Sequence, residues 1–301
     1  MRVLLLFPMA DGQTGPGIKQ SFEKLGHEVK AVDAKIEPQA SFFAAKEFKP
    51  DLIFCSRTMA LASQITRIKK EMKVVSCVWN VDTRTTIDEW KHLFPLVKVC
   101  DYYFVVASRL IPEWKKLNPN TFWLPEGFLP AYGKPKKITE EDRKRYAYDV
   151  CWIGGRTGSN GWRGEYLDIV ARMNIRFKQW GCAGQPKVYD EAHNKAVSLS
   201  KIGLAASGWP ENEKYTSSRD YKILAAEGFL LERHRNRIDE VFPSNIMDCY
   251  NSPQELAEKI RYWLEPENEW ERWQIAKRGY RWVHDNATFT HRIMAALEYM
   301  K

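Results

Sequence analysis

The sequence contains no C-x-x-C pair, no H-E-x-x-H and no cluster of histidine with cysteine, so the common zinc and thiol-redox signatures are absent. Its six cysteines (Cys55, Cys77, Cys100, Cys151, Cys182 and Cys249) stand apart, and several fall inside apolar runs. That usage indicates buried free thiols in a reducing compartment, not a disulfide framework. No apolar run approaches the length of a bilayer span, and the opening RVLLLFP is too short and too lightly flanked for a signal peptide. Internal repeats and low-complexity tracts are also missing. These absences point to a globular, cytoplasmic chain with no metal centre.

What is present is a soluble composition: 301 residues, enough for one large core or two ordinary ones. The net charge of +8 is spread evenly, with 18 Lys and Arg against 14 Asp and Glu in residues 1–130 and 28 against 24 in the remainder. An even excess favours anionic partners such as phosphorylated ligands, but it is not the concentrated patch of a dedicated nucleic-acid binder. The chain carries 12 Trp, 13 Tyr and 14 Phe, which serve mainly as core and, where exposed, as platforms for sugars or bases.

Read in order, short apolar runs alternate with helix-period segments. Strands are expected at RVLLLFP, VKAVD, DLIFCS, VVSCVW, YYFVVA and TFWLP, with helices between them. AYGKPKKITEEDRKRYAY is polar, holds Pro and Gly and lacks an apolar period, so the domain boundary is placed near Lys134–Tyr146. The pattern then restarts with strands at DVCWIGG, IRFKQW, IGLAAS, FLLE and MDCY, and closes with helices near 253–264, 268–283 and 289–299. Strands alternating with helices mean parallel sheets covered on both faces, here two of them.

The most informative stretch is Tyr215 to Leu231, YTSSRDYKILAAEGFLL. Ser217 and Asp220 have the spacing of a capping box, so a helix is expected from about Ser218. Tyr221, Leu224 and Ala225 form its core face; Arg219 and Lys222, three apart, share the other. Backbone N–H groups, the positive end of the helix dipole and two cations thus converge where a phosphate fits. The plain alternative is a capped helix with a solvated basic edge. Gly154, Gly155 and Arg156, then Gly158 to Arg163, form a glycine-rich loop after the first strand of the second half. There Arg156 and Arg163 offer rigid forks for phosphate oxygens. Gly12, Gly15 and Gly17 follow the first strand of the chain. The dinucleotide fingerprint fails at Gln20 and the phosphate loop fails at Ile18, where Lys is required. A nicotinamide-dependent oxidoreductase is therefore a minor alternative.

The order of several pieces resembles the CgeB-like, group-one branch of the GT-B glycosyltransferases. The pieces are S-x-R with an aromatic and a small-residue run, Asp149-Val150-Cys151-Trp152-Ile153-Gly154, Arg163, Trp180-Gly181, Tyr250-Asn251-Ser252-Pro253 and Leu124-Pro125-Glu126-Gly127. The resemblance spans essentially the whole chain. It implies an α/β architecture of two Rossmann-like doubly wound domains facing a cleft, with a C-terminal helix crossing back to the first. Residues 1–140 would be the acceptor domain, 141–285 the nucleotide-sugar domain and 286–301 the returning helix.

The implied activity is hexosyl transfer without a metal, from a nucleotide-sugar co-substrate, UDP-linked, to a hydroxyl. The acceptor is open (a hydroxymethylated base in DNA, a saccharide, or a lipid-linked or protein acceptor), and no tightly bound cofactor is needed. The implied donor residues are Gly15, Gly17, Gly154, Gly155, Arg156, Arg163, Ser218, Arg219 and Lys222. Asp82 and Asp11, each after a strand, are the candidate bases for an inverting reaction; the alternative for each is a cap for the helix that follows it. One position departs from the pattern: many relatives place a ribose-binding Glu where this chain has Lys222. That substitution leaves the nucleotide open and raises a second hypothesis, a sugar-nucleotide-binding module without catalysis.

Overall fold

The computed structural model describes residues 1–10, 12–129, 131–156, 163–209 and 211–301. Two compact units share the chain. The first comprises Met1–Leu129, Glu211–Tyr215 and Phe289–Lys301; the second comprises residues 130–210 and 216–288.

The first unit holds β1 (Arg2–Phe7), α1 (Gly15–Lys24), β2 (Glu28–Asp33), α2 (Ala40–Phe48), β3 (Leu52–Ser56), α3 (Leu61–Glu71) and β4 (Val75–Asn80). A 3₁₀ turn (Asp88–Leu93) leads into α4 (Phe94–Val99), followed by β5 (Tyr102–Val105), α5 (Ile111–Lys115) and β6 (Thr121–Trp123). All pairings are parallel, in the order β2-β1-β3-β4-β5-β6, with Leu4 opposite Ile53. Val3 to Phe7 are all buried because helices cover both faces, which is why β1 reads as an unbroken apolar run.

The second unit holds α6 (Glu140–Tyr146), β7 (Val150–Ile153), α7 (Arg163–Ala171), β8 (Phe177–Trp180), α8 (Asp190–Ser198), β9 (Ile202–Ala205), α9 (Ser218–Ala225) and β10 (Leu230–Arg233). β11 (Asp248–Tyr250), α10 (Pro253–Leu264) and α11 (Glu269–Asn286) complete it. Its five strands run parallel in the order β11-β10-β9-β7-β8. Counted from its own first strand this is 2-1-3-4-5, the order that opens the first sheet too. In each sheet the strand order therefore reverses beside the first strand, and the carboxyl ends there are where open α/β sheets bind ligands.

The last helix, α12 (Phe289–Tyr299), belongs to the first unit, as the resemblance implied. It buries Phe289, Ile293 and Ala296 against α1 and the sheet; Phe289 meets Trp79 edge to face at 5.9 Å and Tyr299 stacks on Phe122 at 4.4 Å. Residues 211–215 also return to this unit, where the Ser108 N–H donates to the Glu213 carbonyl at 2.9 Å and Tyr215 packs on Val106 and Ala107.

Within the polar stretch after residue 130, Thr139 and Asp142 form a capping box that starts α6, and Lys195 on α8 holds Asp142 at 3.0 Å. The chain turns left-handed after α9 at Glu227 (φ +58°). The next residue, Gly228, is required because a Cβ there would collide with Val197. Among the described residues no helix is long and apolar enough to cross a membrane.

Candidate functional site

The second unit carries its candidate site where β7, β9 and α9 meet. α9 is set close to the sheet by one glycine and close to α11 by another. A Cβ on Gly203 of β9 would lie 2.7 Å from Ile223, and one on Gly279 of α11 would lie 2.7 Å from Leu224. Its start follows the sequence pattern: the Asp220 carboxylate accepts the Ser217 N–H at 3.0 Å and the Ser217 hydroxyl at 2.9 Å. Tyr221, Leu224 and Ala225 are buried, as the helical period requires. Ser218, the first helical residue, lies among the N-terminal N–H groups that have no partner inside the helix.

From this first turn Arg219 crosses to the end of β7. Its Nε donates to the Ile153 carbonyl at 2.9 Å, and its guanidinium carbon lies 4.4 Å from the centroid of Trp152. Gly154 makes room: its φ is +139°, and a Cβ would stand 2.5 Å from an Arg219 nitrogen. Arg163, at the start of α7, approaches the same indole at 5.5 Å. Its Nε donates to the Ala206 carbonyl after β9 at 3.1 Å, and Nη1 reaches the Gly155 carbonyl at 3.4 Å. Two guanidinium groups are thus tied to the carboxyl ends of the two strands that flank the reversal of strand order. Arg156 is ion-paired with Asp168. Burial pushes the Cys182 thiol up, against the pull of Arg156 and Arg219.

Lys222, one turn along α9, holds its ammonium 4.5 Å above the ring of Tyr132, which meets His193 edge to face at 5.0 Å. Burial, then Lys222 and Arg219, push His193 down to about 3, so its imidazole is neutral at physiological pH. Burial also lifts the Tyr132 hydroxyl to about 12. Asn194 fixes the segment from both sides, accepting the Gly133 N–H at 3.2 Å and donating to the Ala131 carbonyl at 3.1 Å.

Beneath α9 lies a fully buried ionic cluster. Arg235 donates to Asp220 at 2.8 Å and meets Glu232 at 3.0 Å, and all three side chains are 0% exposed. Ser207 joins them, its N–H donating to Glu232 at 3.0 Å. Two carboxylates share one guanidinium, so one of them keeps its proton. Burial, together with the Asp220 charge and against the pull of Arg235, pushes Glu232 up to about 8. Asp220 is itself resisted by burial, but Arg235 and hydrogen bonds from Glu232 and Ser217 hold it below the usual carboxylate range. Arg235 belongs to the basic run 232–240, yet its side chain is fully buried.

In the first unit, a cavity of about 440 Å³ opens at the carboxyl ends of β1, β3 and β4, lined among others by Phe7, Thr14, Arg57, Trp79 and Asp82. Asp82 is the one carboxylate among the described residues lining it, and it is ion-paired with Arg57. It does not cap the helix that follows. Gly15 and Gly17 have a packing reason: a Cβ on Gly15 would meet the Pro8 carbonyl, and one on Gly17 would meet Leu129 and Phe289. Asp11 and residues 157–162 lie outside the described residues. Glu227, just past the end of α9, is ion-paired with Lys134. Among the described residues no group of three or more His, Cys, Asp and Glu is placed to hold a metal ion. Trp152, Tyr132 and His193 escaped the sequence reading as site components, since their place depends on neighbours distant in sequence; Trp152 alone was marked, as a member of the DVCWIG motif.

Comparison with known proteins fits this geometry. Residues 150–298 match a family model described as glycosyl transferase-like. A search of curated proteins gives no significant sequence match. The fold is that of the GT-B glycosyltransferases. It is similar to HepE of Anabaena in complex with UDP and glucose (TM-score 0.66, 11% identity, 100% of both chains covered). It is also similar to sucrose-phosphate synthase of Thermosynechococcus elongatus (0.66, 10%, 99% of this chain and 98% of that one). A glycosyltransferase of Rickettsia africae gives 0.64 at 12% identity, covering 99% of this chain and 97% of that one.

Proposed function

We propose that this protein is a metal-independent hexosyltransferase that moves a sugar from a nucleotide-diphosphate donor, a UDP-sugar, to a hydroxyl acceptor. The observation that carries the reading is the pair Arg219 and Arg163, locked against Trp152 and tied to the strand ends where the second sheet reverses its order. The C-terminal unit would hold the donor, with Arg156, Ser218 and Lys222 completing the cationic surround of the diphosphate. As the bond to the anomeric carbon breaks, negative charge grows on the departing phosphate. Fixed guanidinium groups stabilise that charge more than they stabilise the bound donor, and so lower the barrier. They supply the positive charge that a divalent ion would otherwise provide. UDP is favoured because the similarly folded HepE is seen with UDP and glucose.

The acceptor hydroxyl is assigned to the cavity of the first unit, with Asp82 as the group that takes its proton. Saccharides and duplex DNA bearing hydroxymethylated bases are the two acceptor classes to offer. A cytoplasmic location suits the free cysteines. A second reading, donor binding without turnover, rests on Lys222 and its seat over Tyr132.

Donor hydrolysis and transfer, measured with a panel of sugar nucleotides, test the proposal. Turnover of one donor supports the enzyme, tight binding of a donor with no turnover supports the module, and neither binding nor turnover ends both. Arg219→Ala is expected to lower kcat/KM by about 100-fold, the order seen when one donor to a developing oxyanion is removed. Unchanged affinity and turnover in that variant would refute the assignment.

A further inference from the structure

The second unit also carries a groove that the donor site does not use. Its cavity of about 390 Å³, within the range of small-ligand pockets, is lined by Lys201, Glu227, Glu269, Trp270, Arg272 and Trp273, among others. None of the residues assigned to the diphosphate lines it.

Two features single it out. The first is a pair of indoles left at the surface. Trp270 and Trp273 sit on successive turns of α11 with ring centroids 5.0 Å apart, and they are 68% and 42% exposed. Trp79, Trp90, Trp114, Trp152, Trp180 and Trp263 are all buried, the ordinary fate of such rings. Trp273 is braced by Lys277, whose Nζ lies 4.6 Å from its centroid. The second feature is the electrical balance of the wall. Lys201 pairs with Asp149 at 3.0 Å, Arg272 with Glu269 at 3.8 Å, and Glu227 with Lys134. Each charge lining the groove has its opposite beside it, and exposed Glu265, Glu267 and Glu271 neighbour the indoles in sequence. Phosphate-rich ligands such as nucleic acid or anionic lipid gain nothing there. A sugar ring gains from both features, because its apolar C–H face stacks on an indole while its hydroxyls bond to the carboxylates and ammonium at the edge.

We infer that the α11 face around Trp270 and Trp273 binds a neutral saccharide chain, at a site distinct from the donor site. The inference does not depend on the glycosyltransferase reading.

Electrophoresis of the full chain through native gels containing soluble starch, dextran, hydroxyethyl cellulose or galactomannan tests it. The wild type should be retarded in at least one gel. The Trp270→Ala/Trp273→Ala double variant should bind that polysaccharide at least 10-fold more weakly with unchanged circular dichroism and melting temperature. Trp270→Phe should keep part of the retardation. Arg219→Ala should be retarded like the wild type, which separates this site from the donor site. The inference fails if the wild type migrates in all four gels as in a blank gel, or if the double variant is retarded as strongly as the wild type. It fails equally if the two tryptophans prove to mediate flotation with phosphatidylserine vesicles, or self-association in sedimentation.

Discussion

Gly154 and Arg219 are a matched pair, since the guanidinium occupies the space a side chain at 154 would need and the backbone there adopts a φ of +139°. Gly154→Ala is therefore expected to destabilise the protein by about 1–3 kcal/mol, the usual cost of a strained backbone position. It should also weaken donor binding as Arg219→Ala does, because the guanidinium loses its seat. Denaturant unfolding together with donor titration checks both; full donor affinity in the glycine variant would separate the two residues. The cation was legible in the sequence because S-x-R at a helix start has a direct physical reading. Its resting place over Trp152 was not, because that contact joins residues 67 positions apart in the chain.

Among the elements, α9 rests on buried charge as well as on apolar packing. Glu232, on β10, is raised to about 8 in the folded chain, above the ordinary carboxylate value, so the folded state retains a proton that the unfolded state releases. Stability from this group is present below the unfolded pKa and is lost as pH rises through about 8. His193 acts in the other direction, being depressed to about 3, so its contribution is lost as pH falls below its unfolded value of 6.5. Among the described residues, Glu232 is the group whose shift acts between pH 6.5 and 8, and unfolding free energy should fall there by about 1–2 kcal/mol. Glu232→Gln, whose amide can donate to Asp220 as the protonated acid does, should flatten that slope; an unchanged slope would refute the assignment. The capping box and apolar face of α9 were readable from Ser217, Asp220, Tyr221 and Leu224. Arg235 was not, because a run of cations reads as solvated unless its buried partners are known. α4 carries its Pro in the first helical turn, where Pro is tolerated.

For the whole molecule, the strand succession was legible because strands buried on both faces are unbroken apolar runs. The return of residues 211–215 to the first unit was not, since no local pattern marks it. The return of α12 yields a prediction. Removing residues 289–301 uncovers α1, and each large apolar side chain lost from the core, Phe289 and Ile293 among them, forfeits about 1.5–3 kcal/mol. Hydrogen exchange should then quicken in α1 and β1 while α9 keeps its protection. Equal loss in both units would contradict the division of the chain. The same return has a consequence for synthesis on the ribosome. The segment that covers Ile18 and Phe22 is translated only after the entire second unit, a delay on the order of ten to thirty seconds at ordinary elongation rates. Throughout that interval the earliest-made half waits with a greasy flank open, a ready substrate for chaperones, while the later-made half can close first.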